Sequence, residues 1–101
     1  MLKVISLMKR KPGMSFDEFR IWLTQEHVEL GKKLPGLRKY TVNVLQSENP
    51  DSPYDGVSEL WFDSDEARLA AFGTDAGKAA GADAAAHADR VHLLTSEHVQ
   101  I

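Results

Sequence analysis

Apolar positions along this chain repeat in two rhythms, one of period two and one near 3.6. Residues 2 to 9, LKVISLMK, form a short, partly β-branched run closed by Lys11-Pro12-Gly13, which predicts a strand followed by a turn. Ser15 then opens a helix. Ser15-Phe16-Asp17-Glu18 has the S-x-x-E spacing in which hydroxyl and carboxylate each satisfy a free backbone amide. Two acids in the first turn also suit the positive end of the helix dipole. Phe19, Trp22, Leu23, Glu26, His27 and Leu30 recur at i, i+3, i+4 and i+7. Gly31 weakens this helix and Pro35-Gly36 ends it.

Residues 37 to 46, LRKYTVNVLQ, predict a second strand, residues 47 to 53 a turn-rich loop, and residues 54 to 62, YDGVSELWF, a third strand. Ser64-Asp65-Glu66 starts a second helical stretch. Gly73 interrupts it, and Thr74 caps a continuation through Ala86. The Ala-rich run at 76 to 88 predicts a weak, mobile helix, packed closely against the rest or serving as a lid. Residues 91 to 101, VHLLTSEHVQI, predict a fourth strand. The order βαββαβ is that of a ferredoxin-like α+β domain.

Both faces of the expected strands are apolar. Tyr40, Val42 and Val44 share one face of the second strand, and Leu37, Thr41 and Leu45 the other. Val57 and Trp61 oppose Leu60 and Phe62, and Val4 and Met8 oppose Ile5 and Leu7. A sheet with one wet face would alternate apolar with polar. Two helices cover only one face of a four-stranded sheet, so a second copy is expected on the other. The pattern therefore predicts a homodimer closed as a dimeric α+β barrel.

Composition narrows the function. With 101 residues the chain fits a single domain, 1 to 101. The net charge of −3, with basic residues spread among acidic ones, argues against a nucleic-acid partner. No cysteine is present, so disulfides, thiolate nucleophiles and Cys-ligated metals drop out together. No apolar run approaches the roughly 20 residues that span a bilayer. The N-terminus places apolar residues before its basic run, the reverse of a signal peptide, which makes the cytoplasm the expected location.

Five residues are candidates for chemistry. His27, on the apolar side of the first helix, is a general acid/base near neutral pH or a helix-edge histidine bonded to a carbonyl or carboxylate. Tyr40 either directs its hydroxyl into a pocket or lies half-buried against backbone and water. Trp22 precedes His27 by five residues, on a nearby but different helical face, as core or as cofactor platform. Glu59, on the strand face of Val57 and Trp61, is a solvated edge acid or a buried acid with a raised pKa. The expected pocket lies between the first helix and the sheet, lined by Trp22, Tyr40 and Trp61, with Glu59 as a further substrate contact. No histidine pair has i, i+4 spacing and no H-E-x-x-H occurs, so no metal site within one chain is expected. A haem held by one histidine stays open.

The ordered set KRKPGMS, FRIWLTQEH, LPGLRKY, ELWFDSDEA and TSEHVQI resembles the EthD family, a branch of the dimeric α+β barrel superfamily. The resemblance covers nearly the whole chain and implies a ferredoxin-like monomer and a sheet-to-sheet dimer. It also implies degradative or secondary metabolism: EthD-like proteins are associated with ether-degradation operons beside a cytochrome P450. Related members are cofactor-independent isomerases, dehydratases or cyclases, with a histidine matching His27 and a tyrosine matching Tyr40 in the pocket. The methylisomerase-like pattern carries a cysteine where this chain has Leu60, in SELWF. Leucine neither ionises nor hydrogen-bonds, which counts against that particular isomerisation. The resulting expectation is a small enzyme without metal or organic cofactor, of isomerase, dehydratase or oxidoreductase type, acting on a small hydrophobic oxygenated ring compound. The alternatives are an accessory binding protein that supports a partner oxygenase, and a haem-dependent oxygenase of the same superfamily.

Overall fold

The Ser15 cap closes as its spacing predicts. In the computed structural model, which describes Met1–Ile101, the Glu18 amide donates to Ser15 Oγ at 3.0 Å and the Ser15 amide to Glu18 Oε1 at 3.1 Å. Helix α1 (Phe16–Ile21) continues through a π-turn over Trp22–Glu26 into α2 (His27–Gly31). Strands β1 (Leu2–Arg10), β2 (Lys39–Val44), β3 (Gly56–Phe62) and β4 (Ala88–Ser96) form one sheet in the order β2-β3-β1-β4. Every neighbouring pair is antiparallel. Two more helices, α3 (Asp65–Phe72) and α4 (Asp75–His87), lie between β3 and β4. The fold is ferredoxin-like α+β.

Cross-strand register corrects two expected boundaries. β4 begins at Ala88 and ends at Ser96, because it pairs with β1 from Arg10↔Ala88 to Leu2↔Ser96 and β1 offers no partner beyond. β2 is limited to Lys39–Val44 by its pairing with β3, which runs from Lys39↔Trp61 to Val44↔Gly56. No helix is long and apolar enough to cross a membrane.

The helices cover the face that carries Val4, Ser6, Met8, Ser58, Leu60 and Phe62, all buried. Two apolar clusters fill the space. One joins Met8, Phe19, Trp22, Leu23, Ala84 and Ala88; the other joins Val4, Leu34, Leu60, Phe62 and Ala71. Gly77 permits the tight α3–α4 corner, since a Cβ there would lie 2.4 Å from the Phe72 Cα. Fully buried Asp55 anchors the end of β1. It accepts from the Arg10 amide and guanidinium, both at 3.1 Å, with the Lys9 ammonium at 3.5 Å.

Candidate functional site

Small side chains on α4 leave room above the middle of the sheet. Ala80, Gly81 and Ala84 face Ser6 and Ser58 across a cavity of about 250 Å³. A void of roughly 150 Å³ already admits benzene, so a single substituted ring fits. The walls are largely apolar, and the polar groups among them are few: His27, Tyr40, the two serines, Arg68, Arg90 and His92.

His27 is 7% exposed and reaches the cavity from the start of α2. Its Nδ1 lies 2.8 Å from Asp83 Oδ2 on α4. A carboxylate only accepts, so Nδ1 carries a proton toward Asp83; Nε2 has no protein hydrogen-bond partner of its own, and in the neutral imidazole it is the acceptor. Trp22 Nε1 donates to the same Asp83 oxygen at 3.0 Å. His87 completes the cluster: its Nδ1 donates to the Asp83 carbonyl at 2.7 Å and lies 3.3 Å from Oδ1. The Trp22 indole packs against both imidazoles, tilted by 34° at 4.8 Å from His27 and stacked at 4.7 Å on His87 by ring centroids.

The π-turn brings Trp22 against His27. In a regular helix of 3.6 residues per turn, residues five apart point roughly 140° away from each other. Here the His27 amide donates to the Trp22 carbonyl, an i→i+5 bond that brings residues five apart to the same side. The expectation that Trp22 and His27 occupy different faces is therefore corrected. Trp22 is not a wall of the cavity; it backs His27 and helps hold Asp83.

Tyr40 enters from β2 and forms no hydrogen bond within the protein, leaving its hydroxyl to the cavity it lines. Burial pushes its pKa up to about 12, so the group stays a neutral donor. Gly31 makes the space: a Cβ there would meet Tyr40 Cε2 at 2.6 Å and its hydroxyl at 2.9 Å.

Trp61 and Glu59 lie on the opposite face of the sheet, a correction to the expected pocket lining. Register decides it: Tyr40 pairs with Leu60, so the residues either side of Leu60 point away. Glu59 accepts from Lys3 at 2.6 Å and from Asn43 at 3.0 Å, and these bonds, the Lys3 one first, hold its carboxyl below the usual range. Trp61 donates to Glu97 at 2.9 Å and lies between the Lys3 and Lys39 ammonium groups, 4.7 and 4.8 Å from its ring. No group of three histidine, aspartate or glutamate side chains is arranged to hold a metal ion.

Sequence reasoning missed Asp83, Ser6, Arg68, Arg90 and His92. Asp83 carried a faint signal, as the single acid in the Ala-rich run and four residues before His87.

Comparison with known proteins supplies the remaining findings. The sequence model described as "EthD domain" matches residues 11–91. A 4-carboxymethyl-4-methylbutenolide mutase of Pseudomonas reinekei is 30% identical over 74 residues, 65% of this chain and 68% of the mutase. The crystal structure of an ethyl tert-butyl ether D family protein from Bacillus halodurans superimposes with a TM-score of 0.82 at 29% identity, covering 97% of this chain and 99% of that one. A dimeric ferredoxin-like protein of unknown function from Thermobifida fusca matches with a TM-score of 0.75 at 20% identity, over 95% of this chain and 90% of that one.

Proposed function

This chain belongs to the EthD family, and from that premise we propose that it is a small enzyme whose own side chains move a proton on an oxygenated, single-ring compound. One observation carries the reading: an imidazole whose Nδ1 is fixed by a carboxylate, with its Nε2 free, in a cavity that also receives a neutral phenol.

The chemistry follows from those positions. Nε2 of His27 removes a proton from a carbon next to a carbonyl, and Asp83 stabilises the imidazolium that forms. The electron pair left on carbon delocalises onto the carbonyl oxygen. The Tyr40 hydroxyl, protonated throughout the working pH range, donates a hydrogen bond to that oxygen. The proton held on Nε2 then returns to a different carbon, and the bonds are rearranged with no net change in composition. The mutase relative, named for a butenolide, supports a ring lactone as the substrate class.

We further propose that the open face of the sheet pairs with a second copy. Ile5, Leu7, Val57, Val91 and Leu93 form an apolar corner there, and Val91 and Leu93 are 44% and 43% exposed. The relative described as dimeric supports this arrangement.

The test is wash-in of deuterium from heavy water at the carbon next to the carbonyl of butenolides and cyclic enones, followed by NMR. The expected result is exchange in the wild type and a loss of about 10²-fold or more in His27→Gln. Equal exchange in both proteins overturns the reading. Binding without exchange makes the chain a carrier that supports another enzyme.

A further inference from the structure

Charge in the cavity is one-sided. Arg68 and Arg90 line it, and no aspartate or glutamate does. Arg68 is partly satisfied by Asp65 of its own helix at 2.7 Å. Arg90 is half-buried and pairs with no acid anywhere in the chain. An unpaired, partly desolvated guanidinium facing an apolar cavity is unfavourable unless something anionic joins it. Arg90 and His92 share the helix-side face of β4, where Arg90 is partly buried and His92 stays exposed at the rim, and their Cα atoms lie about 7 Å apart. Burial first, and then the positive charges of Arg90 and Arg68, push the His92 pKa down, as expected where two cations converge without a counterion.

A second observation points to the same spot. Ser6 pairs with His92 across the sheet and is 2% exposed. Its hydroxyl has no hydrogen-bond partner in the protein, although it lies in the cavity wall. Groups directly opposite on neighbouring strands have Cβ atoms roughly 5 Å apart. An orphan hydroxyl, an imidazole and an unpaired guanidinium thus share one side of the cavity floor. Tyr40 lies on the far edge strand, with β3 and β1 between.

We infer that the β4 side of the cavity is a carboxylate subsite, in which Arg90, His92 and the Ser6 hydroxyl, with Arg68 above, receive the acid group of a small ring compound. The guanidinium fork matches a planar carboxylate with two parallel hydrogen bonds. The Ser6 hydroxyl supplies a third donor from the floor. The acid group anchors the ring and presents its carbonyl side to Tyr40 and His27. This inference rests on the cavity being the substrate site proposed above, and it adds which substrates that site takes.

The experiment is calorimetric titration of phenylacetate and of its neutral isostere phenylacetamide into wild type, Arg90→Gln and Ser6→Ala, with the His27 ring resonances followed by NMR. The expected result is that wild type binds the acid about tenfold or more tighter than the amide. Arg90→Gln is expected to abolish that preference, weakening the acid by about tenfold or more and the amide far less. Arg90 lies on an edge strand and its side chain makes no hydrogen bond or ion pair within the protein, so the variant keeps its fold; Ser6→Ala, which removes only a hydroxyl, gives a smaller loss confined to the acid. Equal affinity of wild type for acid and amide, with both shifting the His27 resonances, overturns the subsite and leaves the His27 chemistry standing. Equal weakening of both ligands by Arg90→Gln overturns it too. Charge-selective binding without deuterium exchange would instead uphold the subsite and sink the proton-transfer reading.

Discussion

The two faces of one sheet treat charge in opposite ways. On the open face charged groups meet an acid or an aromatic ring. Lys3 bridges Glu59 and Glu97, and Trp61 is held between two ammonium groups while it donates to Glu97. On the covered face Arg90 has no acid partner and Ser6 has no partner at all. Arg68 is paired with Asp65 of its own helix, and His27, paired with Asp83, keeps its second nitrogen free. These side chains alternate along the same strands, so backbone geometry does not distinguish them. The difference is the solvent each face meets. A surface that meets water or another protein gains by satisfying its charges within the fold. A cavity that binds a polar ligand must leave some unsatisfied, and stability elsewhere must offset the cost. Here the fully buried Phe19, Leu23 and Phe62 supply that stability.

The comparison breaks most sharply at Asp83. Asp83→Asn keeps the shape of the side chain but can turn a donor toward Nδ1, which reverses the His27 tautomer and occupies Nε2 with a proton. Deuterium exchange is expected to fall by about 10²-fold or more with the fold intact. Nitrogen-15 shifts of His27 separate this from a packing defect, because loss of packing alone would leave the tautomer as it was.

On the open face the largest expected effect is on assembly. Leu93→Asp places a charge in the apolar corner next to Ile5. Light scattering is expected to show the mass of the wild-type dimer halved in the variant, with phenylacetate binding on the covered face retained. A wild type that is already a monomer would refute the paired-sheet arrangement.

The smallest expected effect concerns the Lys3–Glu59 pair. Glu59 has its pKa depressed, chiefly by the Lys3 hydrogen bond, so its contribution to stability is present above its ordinary value of 4.5 and is lost as pH falls through the lower folded value. Lys3 is shifted upward by the same bond, so its contribution is present below 10.5 and lost at higher pH. The two side chains are 15% and 24% exposed and keep some contact with solvent, so the effect is modest and weakens with salt. Thermal unfolding of wild type and Glu59→Gln is expected to converge below pH 4.5 and to differ slightly at neutral pH. A difference that persists unchanged in acid would assign Glu59 a role other than this ion pair.

How far the sequence reached depends on the range of the interaction in question. Element order, the Ser15 cap and the stop at Pro35-Gly36 come from local rules, in which neighbours a few residues apart decide the backbone. Strand alternation fixed which side chains share a face, and the apolar content of both faces required a second cover for the sheet. Helical spacing put His27 on an apolar side, the family resemblance brought His27 and Tyr40 forward as candidates, and the structure brings both to one cavity. Alternation cannot say which parity meets the helices, nor how the parities of two strands align. That is set by register, and the pairing of Tyr40 with Leu60 sends Glu59 and Trp61 to the other side. The Trp22–His27 contact needed a π-turn, a departure from helical periodicity that periodicity itself does not announce. Asp83 meets His27 across 56 residues of chain, and Ser6 meets His92 across the full span of the fold. Such long-range contacts exist only once the sheet has closed, so the local pattern supplied the parts of the site and the tertiary structure decided which of them face each other.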